Sequence, residues 1–509
     1  MMMNSAVRLL DRAAEKWPDK IYTDDEYGTL TFGQTRTMAR RAAAGLLRLG
    51  LDTVRPALVV LPRCGECVAC FMAVLYTGNP YAPAAVDAPL SRLQKIIQNL
   101  RPGVVITTAE KRGDFEKLEL YGAGVVDWEE LKNAAPDDRA VDARLDNAID
   151  TDPAYIIYTS GSTGTPKGVT VAGRSVLDYA RWVTETFSFG ENSVMGAQAP
   201  FYFDNSVHDI YGALYAGARL VLIPEKLLMF PSKIPEFLVE KGCTSVFWVP
   251  TVMINIANSG VLGTVPMPRL KLVSFAGEVM PNAPLNVWRQ AHPDCAYANL
   301  YGPTEITDVC IYYVVDRAFA DSEPLPIGRA CRNMRALILT EDGRLAQQGE
   351  QGEICLVGTG VALGYWNAPE LTEKVFVQNP LHSRYHETIY RSGDLGWVND
   401  RGEIIYAGRM DSQIKVKGNR IELGEVECAA MCVPGVENAC ALFDAGKQQI
   451  VLAVESGQTY TLRRFNLEMK KYVPAYMLPA RLEVMRALPL NANRKIDRVL
   501  LRRTLLEEN

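Results

Sequence analysis

The chain reads as an α/β protein: a large N-terminal domain of two α/β layers, a β-rich subdomain and a small α+β C-terminal domain. Three observations predict this. Strand-like and helix-like stretches alternate up to about residue 325, the rhythm of βαβ units. From Pro326 onward, short strands alternate with Gly-bearing turns instead. Finally, 408–427 is charged and punctuated by glycine, and about a hundred residues with a βαβ pattern of their own follow its start. The expected bodies are 1–408, β-rich over about 326–408, and 409–509.

In chain order, charges at helical spacing (Arg8, Asp11, Arg12, Glu15, Lys16) open a first helix. Asp25-Glu26-Tyr27-Gly28 marks a hairpin, and 32–49 a second helix. A strand at 57–61, a helix around 68–76, a Pro-rich loop over 79–89, a helix near 90–100 and a strand at 104–107 continue the alternation. A polar, acidic linker, 134–152, precedes an apolar buried strand at 154–158. Further on come a helix at 175–187, the segment 199–216, a strand at 219–223, a helix at 234–241 and a strand at 245–249. In the β-rich part, strands at 336–339, 352–357, 397–398 and 403–406 flank turns such as Glu341-Asp342-Gly343.

At 509 residues the chain exceeds a single core. It is 48% hydrophobic and 22% charged, ordinary for a globular protein. A net charge of −5 provides no field for nucleic acid, which is therefore not an expected partner. The charged N-terminus lacks the apolar core of a signal peptide, and apolar runs such as 57–61 and 220–223 are too short to cross a bilayer. A soluble cytoplasmic protein is expected, with no membrane insertion. Eleven scattered cysteines fit reduced thiols better than a disulfide framework. Cys64, Cys67 and Cys70 share a helix face, but with four histidines in the chain and none nearby, apolar packing accounts for them better than zinc.

Residues 158–169, Tyr-Thr-Ser-Gly-Ser-Thr-Gly-Thr-Pro-Lys-Gly-Val, form a phosphate cradle. Gly161, Gly164 and Gly168 permit backbone angles that let successive N–H groups converge on one anion. Thr159, Ser160, Ser162, Thr163 and Thr165 add hydroxyl donors, and Lys167 adds a point charge for a β- or γ-phosphate. A loop made only for flexibility has no need of Pro166 before a lone lysine. Nor is this a Walker A loop: Thr-Pro separates Gly164 from Lys167, and 168–171 reads as a strand, not a helix.

Over ten consecutive positions this loop resembles the signature of the adenylate-forming superfamily, which includes acyl- and aryl-CoA ligases, luciferases and the adenylation domains of non-ribosomal peptide synthetases. The resemblance runs from Val7 to about Leu505 and implies ATP and Mg²⁺ as cofactors. Asn299-Leu-Tyr-Gly-Pro-Thr-Glu305 matches the adenine and magnesium motif. Tyr301 would stack on adenine, Asn299 would bond its edge and Glu305 would hold Mg²⁺, as one carboxylate with phosphate oxygens can. Gly277, Glu278, Gly302 and Thr304 complete this part of the ATP site. Tyr390-Arg-Ser-Gly-Asp394 places Asp394, on a tight turn, against the ribose hydroxyls, with Arg409 assisting; a surface pair of Arg391 and Asp394 is the structural alternative. Lys495, in Asn491-Ala-Asn-Arg-Lys-Ile-Asp-Arg498, matches the catalytic lysine that neutralises charge at the α-phosphate, although Arg494 stands where the family has glycine. Lys167 and Glu305 share its catalytic role, and Asp411 is the hinge of a mobile small domain.

Phe203-Asp204-Asn205 resembles the segment in which amino-acid-activating members pair an aspartate with the substrate α-ammonium. The stretch 420–427, lacking proline before its last acidic pair, is also their form. Position by position, the pocket is Asp204, Asn205, His208, Thr251, Ser274, Ala276, Leu300, Asp308 and Val309, closed by Lys495. His208 and Asp308 would face the substrate side chain or pair with each other; the lining favours a small or polar amino acid. Neither a Gly-Gly-x-Ser carrier site nor a condensation motif occurs, so a phosphopantetheinylated carrier protein acting in trans is the expected partner. The chain looks closest to free-standing adenylation enzymes, including the D-alanine–carrier protein ligase, whose cysteine at the place of Ala276 and apolar residue at that of His208 are absent here. An acyl-CoA ligase and, from another class, a non-catalytic nucleotide-binding regulator are the alternatives.

Overall fold

The computed structural model describes residues 3–160, 165–410, 413–489 and 496–507. They gather into two compact units, one of 1–86, 100–158 and 168–410, the other of 87–99, 159–167 and 411–509.

A nine-stranded sheet in the first unit runs in the order Arg329–Ala330, Ile311–Val314, Ala296–Tyr301, Leu272–Phe275, Ser245–Trp248, Val194–Ala197, Arg219–Leu222, Ile21–Asp25, Gly28–Thr31. Pairing is parallel from Ala296–Tyr301 through to Ile21–Asp25 and antiparallel at both edges. Parallel strands need crossovers, and helices Asn205–Ala216, Ile234–Lys241, Pro250–Asn258 and Asn282–Ala291 make them. Strands covered on both faces must be apolar throughout, and Ser245–Trp248 and Leu272–Phe275 are buried at every position. A second sheet of seven strands has the order Gly364–Tyr365, Lys167–Ala172, Pro153–Thr159, Tyr81–Pro83, Ala57–Val59, Val104–Thr107, Gly124–Asp127. One core draws on both sheets, with Tyr81 and Tyr155 from one and Phe247 and Leu272 from the other. These are the two α/β layers.

The β-rich part is a five-stranded antiparallel sheet built on Met334–Leu339, Gly352–Gly358, Thr388–Val398, Phe376–Gln378 and Ile404–Arg409. Its core holds Ile338, Ile354, Leu356, Tyr390 and Ile404. In the second unit a hairpin, Gln413–Val416 with Asn419–Glu422, leads into helix Leu423–Met431. A three-stranded sheet follows, in which Gln449–Ser456, helix Leu462–Met469 and the parallel strand Arg481–Met485 form the βαβ expected there. Ile421, Val426, Leu452, Phe465 and Met469 fill its core. The same unit holds a buried ion pair, Arg92 to Glu425 at 2.7 Å.

Three local expectations are corrected. Strand Tyr81–Pro83 lies within the stretch read as a Pro-rich loop; proline is tolerated there because Pro83 ends the strand. The expected linker 134–152 contains helix Asp138–Asp146, capped by the Asp137 carboxylate on Ala140 N at 3.0 Å. Only Val141 and Leu145, four residues apart, are buried on it, too faint a stripe to stand out in an acidic stretch. Asp394 sits not on a tight turn but inside strand Thr388–Val398, where Gly393 at φ +72° lets the strand bulge against Gly352–Gly358.

Cys67 and Cys70 are buried in helix Gly65–Tyr76, and among the described residues no three His, Cys, Asp or Glu side chains group as a metal site. No helix among them is long and apolar enough to cross a membrane.

Candidate active site

Strand Ala296–Tyr301 delivers its last residues to the carboxyl end of the nine-stranded sheet, the edge at which open α/β sheets bind ligands. There Tyr301, almost fully buried, donates its hydroxyl to Asp394 Oδ2 at 2.5 Å. Arg409 meets the other oxygen of Asp394 at 2.7 Å and also reaches Ser392 O at 3.1 Å. Ser392 Oγ accepts from the Asp394 backbone N–H at 3.0 Å, fixing the bulge. Burial, then the charge of Asp394, holds the Tyr301 phenol well above its ordinary range, so it remains a donor. Three predicted residues therefore meet at one carboxylate. Arg391 does not join them: it pairs with Glu353 at 2.5 Å, which disposes of the Arg391–Asp394 surface pair. Asn299 uses its amide N–H on Pro326 O at 2.8 Å.

Past Tyr301 the chain turns back sharply. A methyl group at Gly302 would lie 1.9 Å from Asp308 O and 2.9 Å from Val309 Cα, backbone atoms that cannot swing aside. Thr304 and Glu305 occupy the short helical turn Thr304–Ile306, and Glu305, fully buried, accepts from the Tyr365 hydroxyl at 2.7 Å. Thr307 and Asp308 follow at φ +58° and +71°, left-handed values uncommon outside glycine and costly for a β-branched threonine. Gly302→Ala is expected to distort this turn. The variant should melt several degrees lower, in line with about 2–3 kcal/mol, and lose most activity; an unchanged melting temperature would contradict the close contact.

The predicted pocket residues lie on neighbouring elements of the same sheet. Asp204 caps helix Asn205–Ala216, its carboxylate accepting from Asn205 N at 3.1 Å. His208 stands one turn further on, packed on Phe247 with ring centroids 4.5 Å apart. His208 and Asp308 do not pair. His208 Nδ1 is 3.1 Å from Asp209 Oδ1, while Asp308 accepts from the Tyr179 hydroxyl at 2.6 Å. Burial, then the nearby charge of Asp204, pushes the Asp308 carboxyl well above the carboxylate range. Thr251 binds Glu278 through both its N–H, at 3.1 Å, and its hydroxyl, at 2.6 Å. Gly277 precedes Glu278 at φ +95°. Ser274 is fully buried and donates to Val246 O at 3.0 Å, so its hydroxyl is committed to the sheet; Ala276, Leu300 and Val309 are also buried.

In the second unit Ser160 Oγ donates to Arg420 O at 2.8 Å, and the buried Thr159 hydroxyl has no partner among the described residues. Lys167 begins strand Lys167–Ala172. Gly161, Ser162, Thr163, Gly164, Asp411 and Lys495 lie outside the described residues. Sequence reasoning missed Tyr155, Tyr179 and Tyr365. Tyr155 sits in an apolar strand and Tyr179 on a buried helix face, where a tyrosine reads as core, and no local signal marks any of the three hydroxyls.

The family described as AMP-binding enzyme matches residues 10–366. An L-proline--[L-prolyl-carrier protein] ligase of Pseudomonas fluorescens is 31% identical over 96% of this chain and 97% of that protein. Surfactin synthase subunit 1 of Bacillus subtilis is 32% identical over 97% of this chain, which spans only 14% of that relative's length. An artificially fused adenylation–PCP di-domain from Klebsiella oxytoca has the same fold, with a TM-score of 0.83 at 21% identity over 95% of this chain and 94% of that one.

Proposed function

The chain belongs to the AMP-binding enzyme family, and from that premise we propose that it is an ATP-dependent, AMP-forming ligase that activates an amino acid. The aminoacyl group then passes to the phosphopantetheine thiol of a separate carrier protein. The observation that carries this is end-to-end similarity to a ligase that joins an amino acid to its carrier. The buried node of Tyr301, Asp394 and Arg409 supports the nucleotide half of the reading.

In the first step a substrate carboxylate oxygen attacks the α-phosphorus of ATP, the α–β bridging bond breaks, and pyrophosphate leaves. Asp394 presents its carboxylate to the ribose hydroxyls, Tyr301 its ring to adenine, and Asn299, whose amide N–H is engaged, its oxygen to the adenine amino group. The Thr159–Lys167 loop holds the departing phosphates, with Lys495 at the reacting centre. Asp204 takes the substrate α-ammonium, an ion pair that a hydrocarbon acid lacks. In the second step the carrier thiolate attacks the acyl carbon of the mixed anhydride and AMP leaves. The body from 409 onward supplies Lys495 to the first step and withdraws it for the second by turning at Asp411.

Glu305 suits a divalent cation, being a buried carboxylate steadied by Tyr365. With no three-ligand cluster among the described residues, phosphate oxygens would complete the shell of such a cation. When bound, Mg²⁺ supplies countercharge to the triphosphate.

ATP–pyrophosphate exchange over a panel of amino acids, in both enantiomers, tests the reading. Exchange with at least one small or polar amino acid and none with acids lacking an amino group is expected. Thioester formation with free CoA and such an acid would replace it by an acyl-CoA ligase, and strong preference for Leu, Phe or Trp would sink the small-or-polar assignment.

A further inference from the structure

Near Asp204 lies a second carboxyl group whose surroundings do not explain it. Asp308 is 3% exposed and accepts from the Tyr179 hydroxyl; no cation pairs with it among the described residues. A buried carboxyl group without a countercharge is costly. The cost is compounded here, because the residue is also held at φ +71° behind a threonine at +58°.

Two further buried groups point the same way. The Tyr155 phenol is fully buried, with no well-formed hydrogen bond among the described residues, and feels both Asp204 and Asp308. Thr307 lies beside it, but donates its own hydroxyl to Gly360 O at 2.8 Å. His208, 1% exposed, has Nδ1 against the Asp209 carboxylate, which assigns the proton to Nδ1 and leaves Nε2 a lone-pair acceptor with no partner among the described residues. Once a cation ionises Asp308, its free oxygen and His208 Nε2 can each accept an N–H, and the Tyr155 hydroxyl can accept one while donating its own proton. An alkylammonium has three N–H donors and no acceptor. Asp204 and Asp308 are also electrostatic neighbours, since each carboxyl group bears on the other's surroundings.

We propose that the substrate is a short diamino acid, its α-ammonium on Asp204 and its side-chain ammonium on Asp308, with Tyr155 and His208 Nε2 accepting from the two. This rests on the adenylation reading above. A neutral amide side chain, which offers an acceptor as well as donors, is the competing occupant.

The test is ATP–pyrophosphate exchange by the full chain with diaminopropionate, diaminobutyrate, ornithine and lysine, against serine, asparagine, glutamine, leucine and phenylalanine. One of the diamino acids should exceed every neutral amino acid in kcat/KM by ~100-fold or more. Asp308→Asn keeps a residue that tolerates positive φ and can still accept from Tyr179, but removes the charge. It should reduce the preference for the diamino acid over asparagine by ~100-fold, while its melting temperature at pH 7 falls no lower than that of the wild type. A wild-type preference for a neutral side chain, or an unchanged preference in Asp308→Asn, would overturn the inference and leave adenylation standing. Activity only with acids lacking an amino group would overturn both.

Discussion

Lys495→Ala is expected to reduce amino-acid-dependent ATP–pyrophosphate exchange by about 10³-fold, or ~4 kcal/mol of transition-state stabilisation. As the carboxylate closes on the α-phosphate, two anionic groups approach one another and a pentacoordinate phosphorus gathers negative charge. In the proposed mechanism the Lys495 ammonium offsets both. The loss should fall on kcat, because the countercharge matters most where charge is greatest. Thioester formation from synthetic aminoacyl-adenylate should survive, since in the proposed cycle the lysine is withdrawn for that step. Full exchange in the variant would remove Lys495 from the mechanism, and loss of both half-reactions with a lowered melting temperature would assign it a structural role.

The second large effect lies in the node at Asp394. Its side chain is 6% exposed and receives the Tyr301 hydroxyl at 2.5 Å and the Arg409 guanidinium at 2.7 Å, with Arg409 itself 12% exposed. Asp394→Ala takes a carboxylate from a buried cation and an acceptor from a buried phenol at once. About 3 kcal/mol of stability should be lost, together with a rise of tenfold or more in KM for ATP. Asp394→Asn separates the two. It still accepts from Tyr301, so the urea midpoint should recover in part, while the affinity for ATP should not, because a ribose diol prefers a charged acceptor. An unchanged midpoint in Asp394→Ala would show the node to be slack.

Which of these features the sequence reveals depends on distance along the chain. The alternating layers and the β-rich part follow from periodicity, and Asn299–Glu305 and Tyr390–Asp394 stand out as contiguous strings. The wiring between strings is invisible: Tyr301 and Asp394 are 93 residues apart, Tyr179 and Asp308 129. Tyr179 occupies a buried helix face, where an aromatic ring is expected for packing alone, and only the fold shows its hydroxyl aimed at an acid. The sequence suggests Asp308 as a pocket position but says nothing of its lack of an ion-pair partner among the described residues. Whether a buried carboxyl group has a countercharge depends on every element around it. The helix Asp138–Asp146 was hidden for another reason, since two buried apolar residues are enough to dock it and too few to announce it.

The turn from Gly302 to Val309 also limits how this enzyme can be re-engineered. Glu305 and Asp308, proposed for the nucleotide and for the acid to be activated, are carried on one piece of backbone that packs closely on Gly302 and bends through two successive left-handed residues. Position 308 therefore has a short menu, chiefly glycine, asparagine, aspartate and histidine, because bulky or β-branched residues resist positive φ. A library that randomised it would mostly return catalysts weakened towards ATP itself, whatever new acid they admitted. Changes of specificity are better sought at Asn205, at the start of helix Asn205–Ala216, where the backbone is regular and Glu305 is on a different element.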